Sequence, residues 1–511
     1  MYRHAIILMT LTAFLNLSMG CTHTVQIKKE EARVGYEKIV KLMTLDGTIV
    51  EFDHEGGRYL PMRNVIAGFA RGTERYGQRA TAETIVPLSI PADSVTQLWV
   101  QRSNPAGTVF AVIGIAAVVI LAVGLIAVAL KESCPFVYSY DGSRYVFDAE
   151  PLGGAICRGL QRAECSRLDY LKAADGEYRL MLRNEVDETQ YLDAIRLLVV
   201  DHAPDQLIVP DTAGRLHVIT QAAPLRAAVD ENGRDITSFL RDRDGAAWQT
   251  HLAGLSPTEA DTRHHLTLTF PKPADAKRAR LIVNAGTAIW GSNMIREMLQ
   301  MRGDGVDGWY QEVDRRGPRL WELFSFNLRE ELYLMKFYVQ RDTTLVERGM
   351  ILGGGPFIAE DRVIEFDVSD LPGETLTIHV NPPKGFWTLD YMAVEYDRDS
   401  VATAQALDIV RGSDQDGADI AGPLRQSDGQ YYVMPQKGNW AEVSFAALPP
   451  PGDNLERSIF LETDGYYEIQ TDKSQPQQTE LVQRMLNEPG AIAAYSIVRY
   501  LEWRQQAKLD R

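Results

Sequence analysis

A chain of 511 residues is too long for one ordinary domain, and two to four are expected. With 45% hydrophobic and 24% charged residues it has no disordered bias, and a net charge of −16 with no Lys/Arg cluster argues against nucleic acid as a partner. Four cysteines, with no CxxC and no His/Cys pair at ligand spacing, point to neither a disulfide framework nor a structural metal, and no cofactor is expected.

The N-terminus reads MYRHAIILMTLTAFLNLSMGC. Arg3 and His4 form a short basic head, Ala5 to Leu17 is mostly apolar, and small residues precede Cys21. This is the layout of a secretory signal over residues 1–21. The cysteine after Gly20 makes it resemble a bacterial lipoprotein signal, which implies lipidation of Cys21, although Ser18 stands where such signals usually carry Leu. An uncleaved anchor, or a plain signal with an incidental cysteine, is the other reading.

Residues 22–105 read as a small all-β domain. KIVKLMTLDGTIVEF places Asp46-Gly47 between two β-rich runs, a hairpin signal. NVIAGFARG adds a third strand, and AETIVPLSI and DSVTQLWVQ add two more around Pro91. Five short strands predict a small, strongly bent barrel or roll. With TLDG at 44–47 and IPADSVTQLWV at 90–100, the stretch resembles the small barrel of short bacterial envelope lipoproteins.

Val109 to Leu130 holds 22 residues and no charge. As a helix it would extend about 33 Å, close to a bilayer's hydrocarbon core. We expect a transmembrane helix over 108–131; a buried core helix is the alternative, and such helices rarely run this long without a polar face. Arg102 on one side and Lys131 and Arg144 on the other do not decide which side of the membrane holds residues 131–511.

Beyond the span, FVYSYDGSRYVFDAE predicts strands Phe136–Tyr140 and Arg144–Asp148 around Asp141-Gly142. Asp148 and Glu150 would form a carboxylate pair on a functional reading; a hairpin with a polar exit is the plainer one. Cys157 and Cys165 have the option of pairing in an oxidising compartment. YRLMLRNE and AIRLLVVDH both read as strands. The order CPFVYSYDG (134–142), NEVDETQYLD (184–193) and LLVVDH (197–202) resembles a family of uncharacterised bacterial envelope (lipo)proteins, over roughly residues 130–470. That resemblance implies an all-β, extracytoplasmic body and carries over no catalytic residue.

HHLTLTF (264–270) and LIVNAG are further strands, and His264 and His265, as neighbours, face opposite sides of a strand. SNMIREMLQMRGD and WYQEVDRRG are helical candidates, whereas LWELFSFNLREELYLMKFYVQ is ambiguous between helix and strand. VIEFDV and TLTIHV flank a turn at Asp370 to Gly373, and FWTLDYMAVEYD follows. QYYVMP, WAEVSFAALPPP and RSIFLETDGYYEIQ continue the β pattern. Pro489-Gly490 breaks a C-terminal helical stretch, in which Tyr495, Val498 and Leu501 make an apolar docking stripe. The expected fold is mainly β: the N-terminal barrel or roll, one transmembrane helix, jelly-roll-like β-sandwich domains over 132–290 and 291–400, and strands with C-terminal helices over 401–511.

Catalytic constellations are sparse. No GxSxG elbow occurs, and the glycines at 353–355 precede strand-like sequence rather than a helix, which favours a turn over a phosphate loop. Sixty-nine acidic residues supply many carboxylate pairs and distinguish none. Trp309, Tyr310, Trp387 and Tyr391, with Trp321, are candidate ligand-face aromatics; core filling is the plain structural reading. The function expected is therefore that of a non-catalytic, membrane-anchored cell-envelope protein that presents β-sandwich modules to a protein or glycan partner. An enzyme acting on envelope polysaccharide, or a structural subunit of an envelope complex, is the alternative.

Overall fold

The computed structural model describes residues 22–27, 38–44, 49–52, 57–60, 65–75, 78–91, 95–103 and 135–506, apart from 245, 246 and 342. The leader with Cys21 and the apolar run before Lys131 lie outside the described residues. Among the described residues no helix is long and apolar enough to cross a membrane. The chain divides into two compact units: Met1–Ile126 with Arg243–Ala246, and Ala127–Asp242 with Ala247–Arg511.

The first unit holds one antiparallel sheet of seven strands. Lys38–Thr44 and Ile49–Phe52 pair on either side of Asp46-Gly47, with Lys41 opposite Glu51. Two strands were not foreseen: Thr22–Ile27, which pairs with Val95–Ser103, and Arg58–Leu60. Val65–Arg75 and Gln78–Pro91, at 11 and 14 residues, are long rather than short. Ile39, Leu42, Val50, Phe52, Ile66, Leu98 and Val100 are buried together as its core. Gly57 belongs to that packing, since a Cβ there would lie 2.7 Å from the Phe52 ring.

The second unit is also mainly β, and its strands form two pairs of five-stranded antiparallel sheets, an arrangement consistent with β-sandwiches, and a two-stranded sheet of Leu207–Pro210 and Leu216–Ile219. In the first pair, one sheet runs Arg162–Leu168, Glu456–Ile469, Glu188–His202, Gln405–Leu407, with Tyr432–Met434 also on Glu188–His202. Its companion runs Ile409–Asp414, Trp440–Ala446, Glu177–Arg183, Phe136–Tyr140, Tyr145–Ala149. The second pair uses only strands between Ala223 and Tyr396. It is therefore inserted into the first; the boundary expected at 290 is corrected, while the one at 400 falls between Tyr396, where the inserted pair ends, and Gln405, where the first pair resumes. Arg278–Thr287 pairs with both Glu360–Asp367 and Trp387–Tyr396, so a cut at 290 would divide a sheet. Nine of that strand's ten residues are buried, as a central strand covered on both faces requires.

The turn after VIEFDV is placed as expected but makes no hairpin: Glu360–Asp367 and Thr375–Val380 belong to different sheets. Buried Val368 and Leu371 anchor the crossing. The ambiguous 320–340 stretch splits into helix Pro318–Glu330 and strand Leu334–Arg341, with Glu331 in the left-handed region (φ 58°) between them. Helices Ile289–Gln300 and Val306–Asp314 precede it. Thr479–Asn487 and Ala491–Gln506 close the chain on either side of Pro489-Gly490. The docking face of the last helix is Ile492, Ala493, Ser496 and Ile497, and Tyr495, Val498 and Leu501 are only half-buried.

One apolar core runs through both sheet pairs, including Leu180, Leu197 and Leu461 of the first and Leu268, Ile378 and Leu389 of the second. A polar seam accompanies it. Glu150 Oε2 accepts from the backbone N–H groups of Phe357 (2.7 Å) and Ile358 (3.2 Å). Arg362 lies between Glu164, at 3.1 Å, and Glu360. Burial pushes the Glu360 carboxyl up to about 7, against the pull of Arg362. The 353–355 glycines serve close approach here, since a Cβ on Gly153 would lie 2.9 Å from the Gly353 carbonyl.

Candidate functional site

The centre of the first sheet pair is the ladder between Glu188–His202 and Glu456–Ile469, which sets Tyr191 opposite Tyr466. Cross-strand neighbours share a face, and the two rings stack at 4.5 Å and 7°. Tyr431 stands edge-on to both, at 5.9 Å from Tyr191 and 5.4 Å from Tyr466. The ladder slips between Leu192 and Ala194, leaving Asp193 as the extra residue of a bulge. Bulges re-aim side chains. Gly465 permits this one, because a Cβ there would collide with the Tyr191 carbonyl.

Asp193 is 2% exposed and fully engaged. Its Oδ1 accepts from the backbone N–H groups of Gly429 (2.8 Å) and Asp428 (3.2 Å), and its Oδ2 accepts from Gln161 Nε2 (2.9 Å). The Ser427 hydroxyl lies 3.1 Å from the same Oδ2 and 2.6 Å from Asp464 Oδ2. Gln161 also donates to Asp464 Oδ1 (3.1 Å) and accepts from the Tyr431 hydroxyl (2.6 Å). Tyr431 is thus held by the network that holds the two carboxylates. Arg158, Arg162 and Arg316 rim the resulting cleft of roughly 310 Å³, and the Arg158 guanidinium sits 5.8 Å from the Tyr431 ring centre.

Burial raises the pKa of Tyr191 and Tyr466, with the nearby Glu468 carboxylate adding to it, so both remain neutral phenols. Burial, then Asp314, raises Glu468 in turn. The cleft offers the one ring of Tyr431, planar amide and guanidinium groups, and acceptors fixed in place; Tyr191 and Tyr466 pack against that ring and do not line the cleft. That set suits a ligand with an apolar face and many hydroxyls. A carboxylate already taking three hydrogen bonds, with the Ser427 hydroxyl shared between it and Asp464, is poorly placed to move a proton.

No family model matches the chain, and no curated protein matches it at a significant level.

The aromatics picked from the sequence lie elsewhere. Trp309 and Tyr310 are on helix Val306–Asp314, not on strands, and both are buried. The Trp309 ring carries the Arg302 guanidinium at 4.4 Å, and the Tyr310 hydroxyl accepts from Ile469 N–H. Trp387 is 1% exposed and donates from Nε1 to the Glu331 carbonyl (2.8 Å). Tyr391 is half-buried against Val209 and Ile282. Trp309, Tyr310 and Trp387 are corrected from a ligand face to packing, because large rings contribute most when they leave water. Trp321 is 70% exposed on helix Pro318–Glu330. Asp148 and Glu150 form no working pair: Asp148 caps the backbone N–H groups of Asp169 and Tyr170, and burial lifts it to about 6. Cys157 and Cys165 are free and buried, and burial pushes each thiol up to about 12.

A hydroxyl–imidazole–carboxylate chain, unforeseen from the sequence, lies in the second sheet pair. His264 Nδ1 is 3.0 Å from Glu231 Oε1, and its Nε2 is 2.9 Å from Thr250 Oγ1. Thr250 Oγ1 also accepts from Gly385 N–H (2.8 Å). Trp248 packs edge-on against that ring at 4.7 Å. His265, its neighbour, is exposed and bonds Asp261 instead. Among the described residues no group of His, Cys, Asp and Glu is arranged to hold a metal.

The signal for the tyrosine cleft was present in the sequence. NEVDETQYLD contains Tyr191 and Asp193, and the dipeptides at 431–432 and 466–467 contain the other two rings. It went unread because tyrosines in strands are ordinary, and only pairing shows which ones meet.

Proposed function

We propose that the chain is a non-catalytic, membrane-anchored cell-envelope protein whose jelly-roll-like β-sandwich modules bind a glycan partner. The reading includes lipidation at Cys21, a small N-terminal barrel and one transmembrane helix ahead of Lys131. The supporting observation is the cleft at Tyr431, whose ring is backed by the Tyr191–Tyr466 stack. The Tyr431 ring offers an apolar surface for a pyranose, and Gln161, Asp464, Arg158 and Arg316 surround it with hydroxyl-binding groups. The three N–H bonds on Asp193 favour a fixed acceptor over an acid or base.

Two measurements test this. Envelope oligosaccharides titrated into the full-length protein in detergent should quench tyrosine fluorescence saturably. Tyr431→Ala should weaken binding at least tenfold, about 1.4 kcal/mol, while the unfolding transition is kept. Equal affinity in wild type and variant defeats the assignment of the cleft. Protease treatment of intact spheroplasts, followed through a C-terminal tag, tests the placement. Digestion from outside supports an extracytoplasmic body, and full protection opposes it.

A further inference from the structure

The second sheet pair carries another cleft, of roughly 480 Å³, where its two sheets meet beside the crossing segment 221–229. Its polar lining comprises Arg226, Lys272, Arg398, Glu374, Glu395 and Tyr396. Tyr396 donates to the Pro271 carbonyl (2.8 Å) and ties the two sheets together at the floor. Glu395 is already committed. Its Oε2 takes Arg280 Nη2 (2.5 Å), and its Oε1 takes Thr220 N–H (2.8 Å), Thr220 Oγ1 (3.1 Å) and Gln221 N–H (2.9 Å). Glu374 is on the exposed rim.

Lys272 stands apart from this pattern. It is 3% exposed, yet its ammonium makes one hydrogen bond, to the Pro273 carbonyl at 3.2 Å. Among the described residues no carboxylate lies within ion-pair distance of it. Arg226 and Arg398 add two exposed guanidinium groups above it, and Arg398 reaches only Gln221 Oε1, at 3.4 Å. An ammonium buried without a counter-charge is costly, and the walls of this cleft leave that cost uncompensated.

We propose that this cleft binds a small ligand bearing a carboxylate or phosphate group, with Lys272 as its buried ion-pair partner and Arg226 and Arg398 closing over it. Guanidinium forks match the planar oxyanion, and the volume suits a monosaccharide-sized body. The site is separate from the tyrosine cleft, and its failure would leave that reading standing.

The test is calorimetric titration of the full-length protein with glucuronate, glucose 6-phosphate and glucose. At least one anion should bind saturably and glucose should not; the stronger anion identifies carboxylate or phosphate as the source. Lys272→Met should weaken that binding at least tenfold while raising the melting temperature without ligand, because it removes an uncompensated buried charge. Arg398→Gln, at an exposed position, should weaken binding several-fold and leave the melting temperature unchanged. Tyr431→Ala should leave anion binding intact. Binding of neither anion, glucose binding as well as the anions, or unchanged affinity in Lys272→Met would each overturn the proposal.

Discussion

In the tyrosine cleft the buried Asp193 meets three N–H donors, whereas in the cleft of the second sheet pair the buried Lys272 meets one carbonyl. Both side chains are almost wholly out of water. The difference teaches how each site was built. At Asp193 a β-bulge and the 427–429 loop supply the compensation from within, and what lines the cleft is the Tyr431 ring and hydroxyl-binding groups. At Lys272 the equivalent compensation is missing from the protein, and an oxyanion would complete it. Charge satisfied internally leaves a cleft that selects by shape and stacking. Charge left over makes one that selects by sign.

The comparison breaks most visibly at Arg280. This guanidinium is 1% exposed and holds Glu395 beneath the cationic cleft, while also donating to the Ser400 and Val218 carbonyls. Arg280→Met strands a buried carboxylate and should cost about 3–5 kcal/mol, read as a lower urea midpoint. Intact stability would mean that the three other donors to Glu395 suffice. A smaller loss is expected at Asp193. Asp193→Asn turns an amide NH2 donor toward existing donors and should cost about 1–3 kcal/mol, together with weaker glycan binding. A stability change in Asp193→Asn of the size expected for Arg280→Met would erase the contrast between the clefts.

The smallest effect concerns pH. Burial is the largest influence on His264 and lowers its ionisation below the ordinary histidine value, despite Glu231. The folded chain therefore binds this proton less readily than the unfolded chain. Stability is unaffected above the ordinary histidine pKa and is lost as pH falls below it, by at most about 1.4 kcal/mol per pH unit. His264→Gln should flatten that part of the profile in denaturation series. A profile that instead rises on acidification would show His264 protonated in the fold.

Much of the local architecture was legible in advance. The Asp141-Gly142 hairpin forms with Asp141 Oδ1 accepting from Ser143 and Arg144 N–H and Gly142 at φ 97°. Asp46-Gly47 lies between two paired strands, and Pro489-Gly490 separates two helices. Each of these signals acts over a few residues. The order of the sheets was not legible. Reading 132–290 as one domain followed chain order, while the structure inserts the second sheet pair between strands ending at His202 and beginning at Gln405. The aromatics failed in a related way: density along the chain pointed to Trp309 and Trp387, which are core, and passed over Tyr191 and Tyr466.

The sequence by itself determined the β-rich character, the turn positions and the helical stretches, because alternation, Gly/Pro turns and helical period are properties of neighbouring residues. Only the tertiary structure decided that Tyr191 stacks on Tyr466, that Asp193 is bulged toward Gln161, and that Lys272 is buried without a counter-charge. Those facts depend on register between strands far apart in the chain, and on which polar groups that register brings within hydrogen-bonding reach.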